Sequence, residues 1–410
     1  MTLLDGPFRS TPALLNAFGR MADIQLGKML QPAASSAQDL EVPYLRAGHL
    51  SLVPDELPRM WASPREVVQY RVETDDILVA EGGDVGRVGF VPLSASGALI
   101  QNSLHRVRPR GGRDRRFLAY VLEAVYLGDW LEVLCNKSTF GHLTVEKLKG
   151  LRVPDPPVAK QRAIADYLDT ETARIDALIE KKQQMIKLLD ERLQIRRKQF
   201  FSDNRGWKLK HLLRGPMAYG ILVPRFVEPE SGVRMLRITN LDSSGGVDLS
   251  EVAWVPSALS GEYRRTLVGA GDLVISVVGS MGRASVISRE VGGSNLNRAL
   301  ARVQLRSDLD PWIIWHWTQT TEFLDQALLA TGGGTAQPTL NLGDLAEFTV
   351  GLSTNPKDWP RIAAILSDAH QSYLSLDSAL RRQIDVLRQL RQALITSAVT
   401  GELEVPGVAA

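Results

Sequence analysis

A single cysteine, Cys135, stands among 410 residues. That excludes an intrachain disulfide and any cysteine-cluster metal site, and it suits a reducing compartment. Cys135 itself reads as a small buried thiol. No apolar run approaches the ~18 residues needed to span a bilayer. The stretch Met1 to Arg20 lacks the basic start, apolar stretch and small-residue cleavage site of an export signal, so a cytoplasmic protein is expected. The 6 histidines show no zinc-ligand spacing, and no metal is expected. Gly332-Gly333-Gly334-Thr335 lacks the lysine of a phosphate-binding loop. Asn355-Pro356 is followed by Lys357, not by the proline and aromatic residue of an amino-methyltransferase motif, and no acidic pair leads into a nuclease-type Glu-x-Lys. Asp75-Asp76 is a carboxylate pair, but Asp76 begins a repeated strand and reads as structural. No catalytic residue is therefore assigned.

A dominant charge is also missing, since 48 Lys and Arg against 46 Asp and Glu leave a net charge of +2. Distribution says more. Between His105 and Arg116 lie Arg106, Arg108, Arg110, Arg113, Arg115 and Arg116, with only Asp114 opposing them. Such density suits contacts to phosphates, or else a solvated loop. The 44% hydrophobic and 23% charged content describes a folded, soluble chain long enough for two to four compact units.

An internal repeat organises those units. Val42-Pro43-Tyr44-Leu45-Arg46-Ala47-Gly48-His49-Leu50 returns as Val233-Arg234-Met235-Leu236-Arg237-Ile238-Thr239-Asn240-Leu241. Asp76-Ile77-Leu78-Val79-Ala80, leading to Gly86-Arg87, returns as Asp272-Leu273-Val274-Ile275-Ser276, leading to Gly282-Arg283. Thr144 to Leu148 meets Asn341 to Leu345, and Gln161 to Leu168 meets Trp359 to Leu366. The offset drifts only from about 191 to about 201 residues along the chain, as expected of a duplication.

Each copy reads as a mixed globular part followed by a helical part. Ile77 to Ala80 and Leu273 to Val278, set between glycines and acidic residues, predict strands. Tyr120 to Val125 and Trp312 to Leu329 predict helices. Pro156-Pro157 suits a helix start, where a missing N–H costs least, and Asn355-Pro356 plays the same part in the second copy. From about Val158 to Phe200 and from about Lys357 to Val399 the composition favours helix. Apolar residues recur there at heptad spacing: Ile175, Ile179, Ile186, Leu189 and Leu193 in one, Leu376, Leu380, Leu387, Leu390 and Leu394 in the other. One stripe is too narrow for a free-standing core, so the helices are expected to pair antiparallel. The expected fold is α+β with a pseudo-two-fold internal repeat. Two similar mixed α/β domains (1–157 and 201–356) alternate with two spacer helices (158–200 and 357–404) that form a coiled coil, and 405–410 is a tail.

Two copies of one scaffold on a stiff spacer suit DNA, where half-sites recur at roughly 34 Å. A helix of about 25 to 30 residues spans ~40 Å at 1.5 Å per residue. Gln161-Arg162-Ala163-Ile164-Ala165-Asp166-Tyr167-Leu168-Asp169, followed by Ile175-Asp176-Ala177-Leu178-Ile179, resembles the helical conserved region of type I restriction-modification specificity subunits. Leu45-Arg46, Leu236-Arg237, Gly271-Asp272-Leu273-Val274 and Ala398-Val399-Thr400-Gly401 are similar to that family as well. Trp359-Pro360 departs from it, where the family often has an acidic residue and glutamine, and the first thirty-odd residues match poorly. The resemblance implies a noncatalytic subunit with two target-recognition domains that reads a bipartite, asymmetric double-stranded DNA target. Its helices would dock two methyltransferase subunits and, in a full nuclease, two restriction/translocase subunits. S-adenosylmethionine, ATP and Mg would sit on those partners, and this chain would bind no cofactor. From another class stands a structural or inhibitory coiled-coil protein that binds no DNA.

Three pairs of equivalent loops carry the DNA-contact candidates. Arg87, and Ser280 with Arg283, follow glycines that let a backbone approach phosphate, and the arginines suit phosphate or guanine. A tight turn with a solvated arginine is the other reading. Lys137, Thr139 and His142 match Thr335 and Gln337, in loops that could also be plain hairpins. Arg46 with His49 corresponds to Arg237 with Asn240; Asn240 suits adenine or caps a turn. Arg106 and Arg108 are expected on phosphates.

Overall fold

The computed structural model describes residues 8, 14–51, 53–128, 142–202, 206–332 and 338–406. Cys135, Lys137, Thr139, Thr335 and Gln337 lie outside the described residues. The chain divides into two compact units, Met1–Lys181 with Gln383–Ala410, and Lys182–Arg382, so each long helix is shared between them.

In the first unit, Ala22–Leu26, Leu104–Pro109, Ile77–Ala80 and Val88–Phe90 form a four-stranded antiparallel sheet in that order. All four residues of Ile77–Ala80 are buried. The reason is a core on each face: Ile77 and Val79 join Phe18, Met21 and Phe117, while Leu78 joins Leu45, Val91 and Leu104. That two-sided burial explains an unbroken apolar run where a half-exposed strand would alternate. A three-stranded sheet sets Leu40–Leu45 antiparallel to Arg59–Ala62 and parallel to Leu99–Ile100. Leu15–Ala17 pairs with Arg152–Pro154.

The second unit repeats this plan strand for strand. Ala218–Tyr219, Leu300–Val303, Leu273–Ser276 and Ala284–Val286 make its four-stranded sheet. Gly232–Leu236 lies between Ala253–Pro256 and Asn295–Leu296 with the same two polarities, and Trp207–Lys208 pairs with Thr349–Val350. Leu273 and Ile275 face a core containing Trp315, Trp317 and Phe323, whereas Val274 faces Leu236, Ile287 and Leu296.

Two glycines missed in the sequence hold equivalent close approaches. A Cβ on Gly27 would lie 2.2 Å from the Gln101 carbonyl oxygen, and one on Gly220 would lie 2.1 Å from that of Leu296. The chain passes so near the neighbouring backbone that no side chain fits.

The helix over Arg115–Leu127 contains the expected segment and is capped by Asp114, whose carboxylate accepts from the Arg116 and Phe117 amides. Trp312 to Leu329 is not one helix but two, Pro311–Thr318 and Thr321–Ala330. The Thr320 hydroxyl accepts from the Phe323 amide at 3.3 Å and so starts a new helix where the period alone suggested continuity.

The long helices run over Val158–Phe201 and Trp359–Thr400. In the first unit Ile164, Ala165 and Leu168, at the start of one, share a core with Ile395, Ala398 and Val399 at the end of the other. In the second unit Phe201, ending the first helix, shares a core with Trp359, Ile362 and Leu366, which begin the second. Within each unit the two helix segments therefore run antiparallel. Ile175, Leu193 and Leu380 are buried, and Ile179, Ile186, Leu189, Leu387 and Leu394 are half-buried. Leu376 and Leu390 correct the expected stripe, being 50% and 53% exposed. The buried face instead follows Leu380, Ile384, Ile395 and Ala398, at the three- and four-residue spacings of a straight helix, from which a strict heptad drifts.

Candidate nucleic-acid interface

At one end of the first unit's four-stranded sheet, three candidate segments meet. Ile77–Ala80 runs out into Glu81, whose amide donates to the Ser103 carbonyl at 2.9 Å and whose carbonyl accepts from the Leu143 amide at 3.1 Å. The Ser103 hydroxyl accepts from the Ala47 amide at 3.0 Å, which ties in the turn bearing Arg46 and His49. His142 Nδ1 lies 3.0 Å from the Glu81 carboxylate. Arg46 and His142 are exposed here, and Arg87 is half-buried. Arg87 sits 3.2 Å from Asp84, which also accepts from the Tyr126 hydroxyl at 2.8 Å. The His49 ring lies 3.4 Å from Arg46 Nε, and burial first, then the Arg46 charge, lowers its pKa.

The second unit gathers the equivalent segments. The Gly279 amide donates to the Pro338 carbonyl at 2.9 Å, and Arg283 Nη1 lies 3.4 Å from the Ile238 carbonyl. Ser280 and Arg283 are exposed. Gly83, Gly86, Gly279 and Gly282 all have positive φ, between 75° and 82°. These glycines shape a tight turn in both copies, and the turn aims the arginine that follows.

Asn240 is a correction. It is buried, its Oδ1 accepts from the Arg237 amide at 2.9 Å and its Nδ2 donates to the Asp248 carbonyl at 3.1 Å. It caps a turn and has no free edge for a base. Arg237 is partly buried and donates to the Glu251 carbonyl at 2.7 Å.

The arginine run is the larger correction. Arg106 is buried and donates to the Gln69 and Arg71 carbonyls. Arg108 forms a two-point pair with Asp76, at 2.6 and 2.7 Å, which raises its pKa. Arg110 meets Asp23 at 2.8 Å, Arg115 meets Asp75 at 2.7 Å, and Arg116 meets Asp166 and Asp169 at 2.7 and 2.6 Å. Arg113 holds Asp155 through bonds of 2.8 and 2.6 Å, and this pairing foremost keeps the Asp155 carboxyl below the usual range. The cluster is neutralised within the fold and positions the globular part, leaving little unopposed charge for phosphates.

Its acidic partners explain the helical motif. Gln161, fully buried, accepts from the Asp114 amide at 3.0 Å and donates to Asp155 and the Pro156 carbonyl at 3.2 and 2.8 Å. Asp169 accepts from the Tyr120 hydroxyl at 2.8 Å as well as from Arg116. The polar members of Gln161 to Asp169 thus fasten the long helix to the first unit. At the matching place in the second unit Trp359 packs edge-on against Trp207, with centroids 6.0 Å apart and Arg306 over both rings. The second unit also buries Arg197, whose Nε donates to His316 Nδ1 at 3.2 Å, with the guanidinium 5.4 Å above Trp315. Burial first, then the Arg197 charge, pushes His316 down to about 2, so its ring is neutral.

Among the described residues no group of three or more His, Cys, Asp or Glu could hold a metal, and no helix is long and apolar enough to cross a membrane. Fold and site thus define a duplicated α+β scaffold with two long helices. Residues 21–188 match the family described as the type I restriction modification DNA specificity domain. The chain is 23% identical over 366 residues to the EcoBI type I restriction enzyme specificity subunit of Escherichia coli, covering 82% of this chain and 75% of that one. Two solved structures are similar in fold. One, from a type I R-M system described for its complex assembly and conformational transition, matches with a TM-score of 0.71 at 14% identity over 96% of this chain and 99% of that one. The HsdS subunit of Thermoanaerobacter tengcongensis matches with a TM-score of 0.50 at 15% identity over 97% and 100%. Residues 21–188 are thus similar to a type I restriction modification DNA specificity domain, and the chain as a whole is similar in sequence to a type I specificity subunit and in fold to solved type I R-M subunits.

Proposed function

We propose that this chain is a type I restriction-modification specificity subunit and that it reads a gapped, asymmetric duplex DNA target, one half through each unit. The observation that carries this reading is one strand plan built twice, with loops of different chemistry at the equivalent sheet end. Equal scaffolds give equivalent approaches to a groove, and unequal loops give unequal half-sites. Arg87, Arg46, His49 and His142 are the contact candidates in the first unit, and Ser280, Arg283 and Arg237 in the second. Lys137, Thr139, Thr335 and Gln337 remain candidates on sequence grounds.

The helices dock two methyltransferase subunits and, in a full nuclease, two restriction/translocase subunits, in the cytoplasm. In the second unit Leu189, Leu193, Ile365, Tyr373 and Leu376 line a groove of 720 Å³ suited to a partner's apolar side chains. The partners carry S-adenosylmethionine, ATP and Mg. The test is to exchange residues 1–150 for those of a relative in the assembled methyltransferase and to map modified adenines by methylation-sensitive sequencing. One half of the target should change and the other stay. A change in both halves together would overturn the two-unit reading.

A further inference from the structure

Both units expose apolar side chains at the sheet end that carries the candidate loops, on a segment that none of those loops includes. After Gly220 comes Ile221, which is buried, and then Leu222, Val223 and Phe226, with Val223 76% and Phe226 64% exposed. After Gly27, at the equivalent place, come Met29, 75% exposed, and Leu30. Strand register fixes where these segments lie. In the second unit Tyr219 pairs with Ala301, Ser276 pairs with Leu300, and the Gly220 amide donates to the Leu300 carbonyl. The segment therefore leaves the sheet at the same end as Gly279 to Arg283. The Tyr219 hydroxyl donates to the Leu340 carbonyl at 3.3 Å.

Three exposed apolar side chains within five residues hold in water apolar surface that binding would cover favourably. Two cations flank them. The Arg225 and Arg298 side chains are exposed and make no hydrogen bond or ion pair among the described residues, while the Arg298 backbone amide donates to the Ile221 carbonyl at 2.9 Å. The contrast with the arginine run is sharp, because there every guanidinium already has a partner within the fold. Unopposed cations beside an apolar ridge complement a duplex, which offers phosphates outside and base edges, thymine methyls and deoxyribose within its grooves. The close backbone approach at Gly27 and Gly220 fixes where each segment leaves its sheet.

Resting on the DNA-reading function above, we propose that Leu222, Val223 and Phe226 form an apolar ridge that seats in a groove of the second unit's half-site, with Arg225 and Arg298 on the flanking phosphates. Met29 and Leu30 are the first unit's counterpart. The ridge contributes apolar readout, and the arginines contribute salt-sensitive affinity.

The assembled methyltransferase carrying Phe226→Ser, Leu222→Ser or the pair Arg225→Ala/Arg298→Ala is titrated with a target duplex over a range of salt. These side chains are exposed, so unfolding temperatures should match wild type. The expected result for Phe226→Ser is an affinity loss of about tenfold with an unchanged salt slope, since an apolar contact releases no counterions. The arginine pair should reduce the slope by about two. Met29→Ser should weaken discrimination in the other half of the target only. Unchanged affinity in Phe226→Ser, with wild type still selective, overturns the ridge and leaves the DNA-reading function standing. Loss of methyltransferase subunits from the variant complex overturns it in favour of a protein-docking surface. A wild-type complex that selects no target removes the underlying function itself.

Discussion

The two units solve one mechanical problem with different chemistry. Where the first long helix begins, in the first unit, Gln161, Asp155 and Arg113 form a hydrogen-bonded ionic network. Where the second begins, in the second unit, Trp359, Trp207 and Arg306 form an aromatic cluster, with both indole N–H groups donating to the Ser353 carbonyl. The strand plan is the same in both. The lesson is that a duplicated fold preserves geometry, here strand order and close backbone approaches, while the interactions that secure it are free to change kind. A motif built on Gln161 is therefore faint at Trp359 even though the helix starts at the same place.

Breaking each junction should expose the difference, and Trp359→Ala should have the largest effect. It removes a buried indole from the second core and should cost about 3–5 kcal/mol, read as a lower midpoint in urea unfolding. Next, Gly27→Ala and Gly220→Ala should each cost about 3 kcal/mol, because a carbonyl oxygen must move. Equal losses in the two would show that the duplication is carried by the backbone; a harmless substitution at either would refute the close approach. Gln161→Ala, leaving the Asp114 amide and Asp155 short of partners, should cost about 1–3 kcal/mol.

A smaller effect depends on pH. Asp155 has its pKa depressed by Arg113, so its contribution is fully present above the unfolded carboxyl value of about 3.9 and fades as pH falls through the lower folded value. Asp155→Asn should lose stability at neutral pH, and the gap to wild type should close in acid. A gap that stayed constant from pH 7 to pH 2 would refute the pairing. Smallest of all, Arg110→Ala and Arg115→Ala, in exposed pairs, should each change stability by no more than about 0.5 kcal/mol. Neither should alter the salt slope of DNA binding, whereas Arg283→Ala should lower it by about one. A lower slope for Arg110→Ala would return the arginine run to the interface.

Much of the fold was legible because repeats and periods are local. Asp76 to Ala80 and Asp272 to Ser276 announced the same strand twice, and glycine-free, Leu- and Gln-rich stretches announced the long helices. The helix face was less legible. Leu376 and Leu390 keep a heptad that the buried stripe abandons, and which face is covered depends on what packs there. The arginine run misled for a plain reason: its partners lie far away in sequence, Asp76 at 32 residues from Arg108, Asp155 at 42 from Arg113 and Asp23 at 87 from Arg110. Asn240 misled in the opposite way, since its partners are near but its burial is not written in its neighbours.

By itself the sequence determined that this protein is a duplicated α+β scaffold with long helices, since hydrophobic period, turn residues and a slowly drifting offset are properties of the chain alone. Only the tertiary structure decided which charges are already neutralised and which stay unopposed. Coulombic and hydrogen-bond partners are chosen by distance in space, and folding sets that distance independently of separation along the chain.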